Sequence, residues 1–276
     1  MDRIRLIASD MDATLLDEQS QLPADFEETI HALAELGIRF APASGRPLYT
    51  LEAMFPTLQD ELVFIGDNGG AIRWKRQNLF TSEMSPEGWR ALNRLTREQG
   101  DIAVLCGLES AYVERPFAVH DAVLRHFYTK IEYVDRLEDV TAPADKFTIY
   151  LPQHNAQQAY DTVYASQRSI YSVAVAGECW VDIMNPGVHK GAALQTLGQL
   201  WGLPSESMMA FGDTYNDAEM LQTVRYGFLM ENGSEPLRRK VPFLAPSHRE
   251  AGVMQVLHRV LAQNGCVCPE DFIPAH

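Results

Sequence analysis

The order of strand-like and helix-like segments constrains this chain more than any other feature of its sequence. Ile4 to Ser9 is an apolar, strand-like run; Asp25 to Leu36 repeats apolar residues at helical spacing before Gly37; Ile38 to Ala43 is strand-like again. Pro47 stands near the start of another helix, where its missing N–H costs little, and Leu62 to Ile65 makes a third strand before Asp67-Asn68-Gly69-Gly70. Such alternation predicts a parallel sheet with helices on both faces.

From about residue 84 to 184 the rhythm changes. Strand-like segments at 102–105, 111–114, 130–134, 146–151, 170–176 and 179–184 are interrupted by helical patterns only at 86–99, 119–127 and 156–166, and Gly177-Glu178 marks a hairpin turn. Strands that follow strands directly predict an antiparallel sheet and a separate α+β module. After Asn185-Pro186-Gly187 the alternation returns, with helices at 190–201, 217–223 and 251–262 and strands at 207–211 and 226–230. The expected fold class is therefore α/β: a Rossmann-like parallel-sheet core formed by 1–83 and 185–276, with an inserted α+β cap domain at 84–184. With 276 residues, 46% of them hydrophobic, the chain can bury a core of that size.

A net charge of −14 argues against broad binding to nucleic acid or anionic membrane, both of which need clustered Lys and Arg. No apolar run approaches the roughly 18 residues that span a bilayer. Met1-Asp2-Arg3 leads straight into a strand and leaves no room for a cleavable signal, so the expected compartment is cytoplasmic. Cys266-x-Cys268 could ligate a metal, but a structural zinc site wants four ligands, and the nearest histidines, His258 and His276, stand well away on either side, His276 as the last residue.

Acidic and small polar residues collect where the strands end, the position at which open α/β sheets place their ligands. Asp10 and Asp12 lie two apart beyond the first strand, a pair that by itself reads equally well as a helix cap or a polar turn. Asp213 and Asp217 follow strand 207–211. Carboxylates from two strand ends that meet in one crevice repel unless a cation sits between them, and oxygen donors without His or Cys favour Mg²⁺. Ser44 and Gly45 occupy a strand-to-helix turn, where a hydroxyl and free backbone N–H groups make an anion cradle. Lys190 adds a positive charge suited to phosphate, although a lysine there also reads as a solvated helix residue.

In chain order, Asp10-Met11-Asp12-Ala13-Thr14, Ser44-Gly45-Arg46-Pro47, Lys190-Gly191 and Gly212-Asp213-Thr214-Tyr215-Asn216-Asp217 resemble motifs I to IV of the haloacid dehalogenase (HAD) superfamily. The likeness runs from residue 4 to about residue 253, and the insertion resembles the larger cap of the Cof-type, sugar-phosphatase-like members. The resemblance implies a Mg²⁺-dependent phosphatase of small phosphorylated metabolites. Asp10 would be the nucleophile that forms an aspartyl-phosphate, and Asp12 would protonate the leaving alcohol and later activate water. Mg²⁺ would bind the Asp10 carboxylate, the Asp12 backbone carbonyl and Asp213, with Asp217 either a ligand or a residue that orients one. Ser44, Gly45, Lys190, Asn216 and the Met11 amide would hold the phosphate oxygens. The expected partner is a small phosphorylated metabolite, with no nucleic acid and no membrane, and the expected state is monomer or homodimer.

Three local departures from the family pattern concern geometry: Ala13 replaces a usual glycine, Met230-Glu231-Asn232-Gly233 stands where Met-Gly-Asn-Ala is common, and Arg249-Glu250-Ala251-Gly252 lacks an acidic residue before its glycine. Where residue 13 needs φ > 0, alanine costs on the order of 1 kcal/mol. Lys146 resembles a lysine that opens a cap strand, and reads alternatively as a solubilising edge-strand charge; Glu178 and Asp182 also read as surface residues. A phosphosugar mutase, a phosphorylatable signalling module and a metabolite-binding member that has lost catalysis remain open alternatives.

Overall fold

The computed structural model describes residues 1–275; His276 lies outside them. At the centre six parallel strands run side by side in the order Phe243–Ala245, Tyr226–Met230, Met208–Gly212, Leu6–Asp10, Arg39–Ala43, Val63–Gly66. Strand Leu6–Asp10 is buried at every position, as expected of a parallel strand covered on both faces. Alternate residues feed two apolar cores. Ile7, Phe40 and Phe211 pack with Phe26, Ile30 and Leu33 of helix Phe26–Glu35 and with Leu257 of helix Gly252–Ala262. Leu6, Ala8 and Ala210 pack on the opposite face with Leu194 and Leu197 of helix Lys190–Trp201 and Leu221 of helix Ala218–Thr223. Each large side chain buried this way contributes about 1.5–3 kcal/mol.

The parallel core expected from the sequence is present, and antiparallel strands extend it at both edges. Strands Ala71–Trp74 and Gln77–Thr81 extend one edge antiparallel, and Ile273–Pro274 extends the other. Lys75 (φ 48°) and Arg76 (φ 62°) turn the edge hairpin in left-handed backbone, where Asn and Gly are the usual residues. A Lys-Arg turn carries no sequence signal for it.

Among the described residues, six strands of the 102–184 stretch form a separate sheet in the order Ser172–Val175, Trp180–Met184, Ala144–Tyr150, Ile102–Gly107, Ala111–Glu114, Ile131–Val134. It is antiparallel except for its last pair, where helix Asp121–Phe127 carries the chain back as a crossover. Its two faces hold their own apolar clusters, one around Leu105, Phe147 and Ile149 and one around Val104, Val113 and Tyr128. Where the chain passes between the two sheets, the Asn185 amide donates to Ser82 O (3.2 Å), Ser82 Oγ (3.1 Å) and Glu83 O (2.8 Å), clasping the two connections together.

Candidate active site

Leu6–Asp10 lies between Met208–Gly212 and Arg39–Ala43, the point at which successive connections leave in opposite directions along the sheet. That is the crevice in which such sheets bind ligands. Asp10 ends its strand. The chain then closes a tight turn, with the Leu16 amide donating to Met11 O (2.9 Å) and Ala13 held at φ 56°. Residue 13 therefore does sit in left-handed backbone, with alanine there in place of the family's usual glycine. Asn232 clamps this turn by donating to Ala13 O (2.8 Å), so the altered Met230-Glu231-Asn232-Gly233 loop still supports it.

On the neighbouring strand, Phe211 is in register with Ser9, which brings Asp213 beside Asp10. Gly212 is required there: a Cβ would sit 2.4 Å from Asp217 Cβ. Asp217 folds back over the strand end and accepts from the amides of Asp213 (3.0 Å) and Thr214 (3.2 Å) through Oδ2. Its other oxygen receives Lys190 Nζ at 2.7 Å, and the same ammonium reaches Asp10 Oδ1 at 2.5 Å. Lys190 opens its helix and is fully buried, so it is not a solvated surface residue.

Oxygens of Asp10, Asp213 and Asp217 lie within 4.8 Å of one another. One ammonium does not balance three carboxylates. Burial, reinforced by Asp217, pushes Asp10 up to about 7 and Asp213 up to about 6, even though Lys190 pulls both down. Burial also opposes charge on Lys190, but Asp10 and Asp217 outweigh it and raise its pKa. A charge-deficient, all-oxygen donor set of this kind fits Mg²⁺. Asp10 and Asp213 have oxygens available to hold it, whereas both Asp217 oxygens are already engaged by protein donors.

The remaining expected residues are placed differently. The Asp12 side chain is 61% exposed and pairs with Arg46 (2.8 Å) rather than entering the acid cluster. Asp12, Ser44, Gly45 and Asn216 line a cavity of about 230 Å³ between the two sheets, a wall that excludes Asp10, Lys190 and Asp213. Ser44 Oγ accepts from the Arg46 amide (3.1 Å), and Asn216 Oδ1 accepts from Thr214 Oγ1 (2.6 Å). Lys190 therefore stands among carboxylates, behind the cradle. The sequence reading left out Arg46 and Thr14, whose hydroxyl points at Asp213 Oδ1 (3.5 Å). Both lie inside the quoted motifs, which was the available signal.

Lys146 is no edge charge. It lies in a strand paired on both sides, is 2% exposed, and contacts Asp67 (2.9 Å), Asp182 (3.6 Å) and the carbonyl of Gly45 (2.6 Å). Asp182 is buried as well, receiving Thr148 Oγ1 (2.7 Å) and Asn68 Nδ2 (3.1 Å); Glu178 is exposed as expected. Asp67 and Asn68 adopt left-handed backbone (φ 50° and 55°) to bring this second cluster under the anion cradle.

A strand-order switch point with an acidic cluster on it and a second sheet beside the cavity defines a doubly wound α/β protein with its candidate site in the cleft between two sheets. Residues 7–257 match the haloacid dehalogenase-like hydrolase family, and the chain belongs to that family. It is 31% identical to the 5-amino-6-(5-phospho-D-ribitylamino)uracil phosphatase of Escherichia coli, with 94% of this chain and 96% of the relative aligned. It is 30% identical to an HMP-PP phosphatase of Cronobacter sakazakii over 87% of this chain and 89% of the relative. A Streptococcus mutans crystal structure superposes with a TM-score of 0.84 at 28% identity, covering 94% of this chain and 99% of the other. The chain is thus a HAD hydrolase whose relatives along nearly their whole length are phosphatases. No helix of the described residues is long and apolar enough to cross a membrane.

Proposed function

We propose that this chain is a Mg²⁺-dependent phosphomonoesterase of small phosphorylated metabolites that works through a phosphorylated Asp10. The observation that carries the reading is the buried Asp10–Lys190–Asp217 array with Asp213 beside it, at the end of a parallel strand, and the exposed Asp12 two residues on. Asp10 and Asp213, with the Asp12 backbone carbonyl, would hold Mg²⁺, which when bound supplies positive charge against the phosphate oxygens. Asp217 orients the set by fixing the Asp213 amide and Lys190.

Lys190 orients Asp10 and works against the burial that disfavours its charge, and the ionised Asp10 carboxylate attacks phosphorus as the bond to the leaving oxygen breaks. Asp12 reaches into the cavity where the leaving oxygen departs; it donates a proton to that oxygen and afterwards takes one from the water that attacks the aspartyl-phosphate. Arg46 places the Asp12 carboxylate, while Ser44, Gly45, Asn216 and the Met11 amide provide donors to the phosphate. Residues 84–184 act as the cap domain that closes over the substrate and sheds water. The wall contributed by this segment bears Phe127, Trp180 and Val175, which suits one phosphate and an uncharged leaving group better than the bisphosphate of a mutase.

Phosphate release from a panel of phosphorylated metabolites tests the proposal. Turnover should need Mg²⁺, vanish with EDTA and return when Mg²⁺ is restored in excess. Failure of every substrate together with absence of a phospho-enzyme would leave only a binding role.

A further inference from the structure

The cavity is graded along its length. Lys146, Thr148 and Tyr150 share one face of a strand, and Trp180 and Asp182 face the same way on its neighbour, with Thr148 opposite Asp182 and Tyr150 opposite Trp180. Nearest the anion cradle the wall is polar. Thr148 and Asn68 pin the Asp182 carboxylate, so this section is rigid before any ligand arrives. Farther out the wall turns flat and apolar. Trp180 and Phe127 meet at 67° with ring centres 5.1 Å apart, forming a corner, and Tyr150 backs Trp180 at 4.6 Å.

The charges on the wall narrow the ligand further. Its cations are Arg46, paired with Asp12, and Lys146, engaged by Asp67 and the Gly45 carbonyl. Neither is free to meet a second phosphate or a carboxylate at the far end. A volume of about 230 Å³ holds a single ring on a short chain and falls below the usual range for larger ligands.

Resting on the phosphatase reading, we infer that the leaving group carries an uncharged, planar aromatic or heteroaromatic ring, joined to the phosphate through a short polar segment and seated in the Trp180–Phe127 corner. Trp180 and Phe127 thereby determine specificity: they contribute contacts to ring-bearing esters that a bare sugar phosphate cannot make. Stacking of a base on aromatic side chains is worth roughly one to two powers of ten in affinity.

Uridine 5′-monophosphate and ribose 5-phosphate form a matched pair in which C1 of the same phosphorylated ribose carries either the uracil ring or a hydroxyl. We expect kcat/KM for the nucleotide to exceed that for the sugar phosphate by about 10- to 100-fold. Affinities for the Asp10→Asn protein, measured by calorimetry, should show the same ratio. In Trp180→Leu, and less completely in Phe127→Leu, the ratio should fall towards one. Phe127 is only half-buried, so its variant keeps the test open where Trp180→Leu does not fold. A ratio near one in the unaltered protein would overturn the inference, as would variants that lower both substrates equally. Binding that favours uridine 5′-monophosphate without turnover of any ester would uphold the ring corner and sink the phosphatase reading instead. Turnover of both substrates at equal efficiency would do the reverse.

Discussion

Two buried clusters in this protein share a composition and differ in fate. Lys190 stands among Asp10, Asp213 and Asp217 at the strand ends, and Lys146 stands among Asp67, Asp145 and Asp182 below the second sheet. Each has one ammonium for three carboxyls. In the first, Asp10 and Asp213 retain some exposure, 9% and 8%. In the second, Asp145 is wholly buried, and neither of its oxygens receives a hydrogen bond from a donor group. Burial, reinforced by the neighbouring Asp67, pushes Asp145 well above the usual carboxylate range and so favours its neutral form. A half-open cluster has room to take its missing positive charge from a divalent ion, whereas in a sealed one burial favours a neutral carboxyl.

The largest effect that tests this contrast comes from paired substitutions. Asp10→Asn should reduce turnover to background and form no phospho-enzyme, because an amide is a poor nucleophile. Asp145→Asn keeps the shape of the side chain without its charge and should leave turnover within about threefold. Equal losses in both variants would mean that the clusters are not functionally distinct. Asp12→Asn should lie between them, slowed by about 10² to 10⁴. With a nitrophenyl ester it should still release a burst of one nitrophenol per site, visible on rapid mixing, because that leaving group needs no proton.

Metal affinity should depend on pH with a defined sign. Asp10 and Asp213 titrate near 7 and 6 in the folded protein, against 3.8 for an ordinary Asp, so the metal-free fold binds protons more tightly than the unfolded chain. Their contribution to stability is full below about pH 4 and is lost as pH rises to about 7. Mg²⁺ displaces those protons, and its apparent affinity should tighten about tenfold or more per pH unit below pH 6 and level off above pH 7. Calorimetry at pH 5.5, 6.5 and 7.5 decides this; a flat profile would show that the carboxyls are ionised before the metal arrives.

Stability measurements address the sealed cluster. Lys146→Met strands Asp67 and Asp182 without their cation and should cost about 3–5 kcal/mol in urea unfolding. Mg²⁺ affinity of the protein that remains folded should be unchanged. The smallest effect belongs to Ala13→Gly, which relieves a left-handed alanine and should stabilise by about 0.5–1 kcal/mol, offset in part by the freedom of glycine in the unfolded chain. A loss of stability there would show that the turn needs the methyl group.

Much of this molecule follows from local pattern. Periodicity located helices Pro86–Gln99 and Lys190–Trp201 and strands Ala111–Glu114 and Tyr226–Met230, because each buries one regular face or two. Motif spacing likewise put Asp10 at a strand end and Asp213 just beyond another. Other features depend on residues far apart in the chain. The hairpin at Lys75-Arg76 uses residues that do not favour its backbone, and it exists because the core sheet offers an edge on which to pair. Neither Lys146 nor Asp182 has a local signal for burial, since each is an ordinary charged residue until the other and Asp67 arrive from elsewhere in the sequence. Nor could composition show that Asp12 faces the cavity with Arg46 while Asp10 faces Lys190. Side-chain periodicity is a property of neighbours along the chain. Charge pairing, solvent access and the shape of a cleft are properties of neighbours in space, and only the tertiary fold determines those.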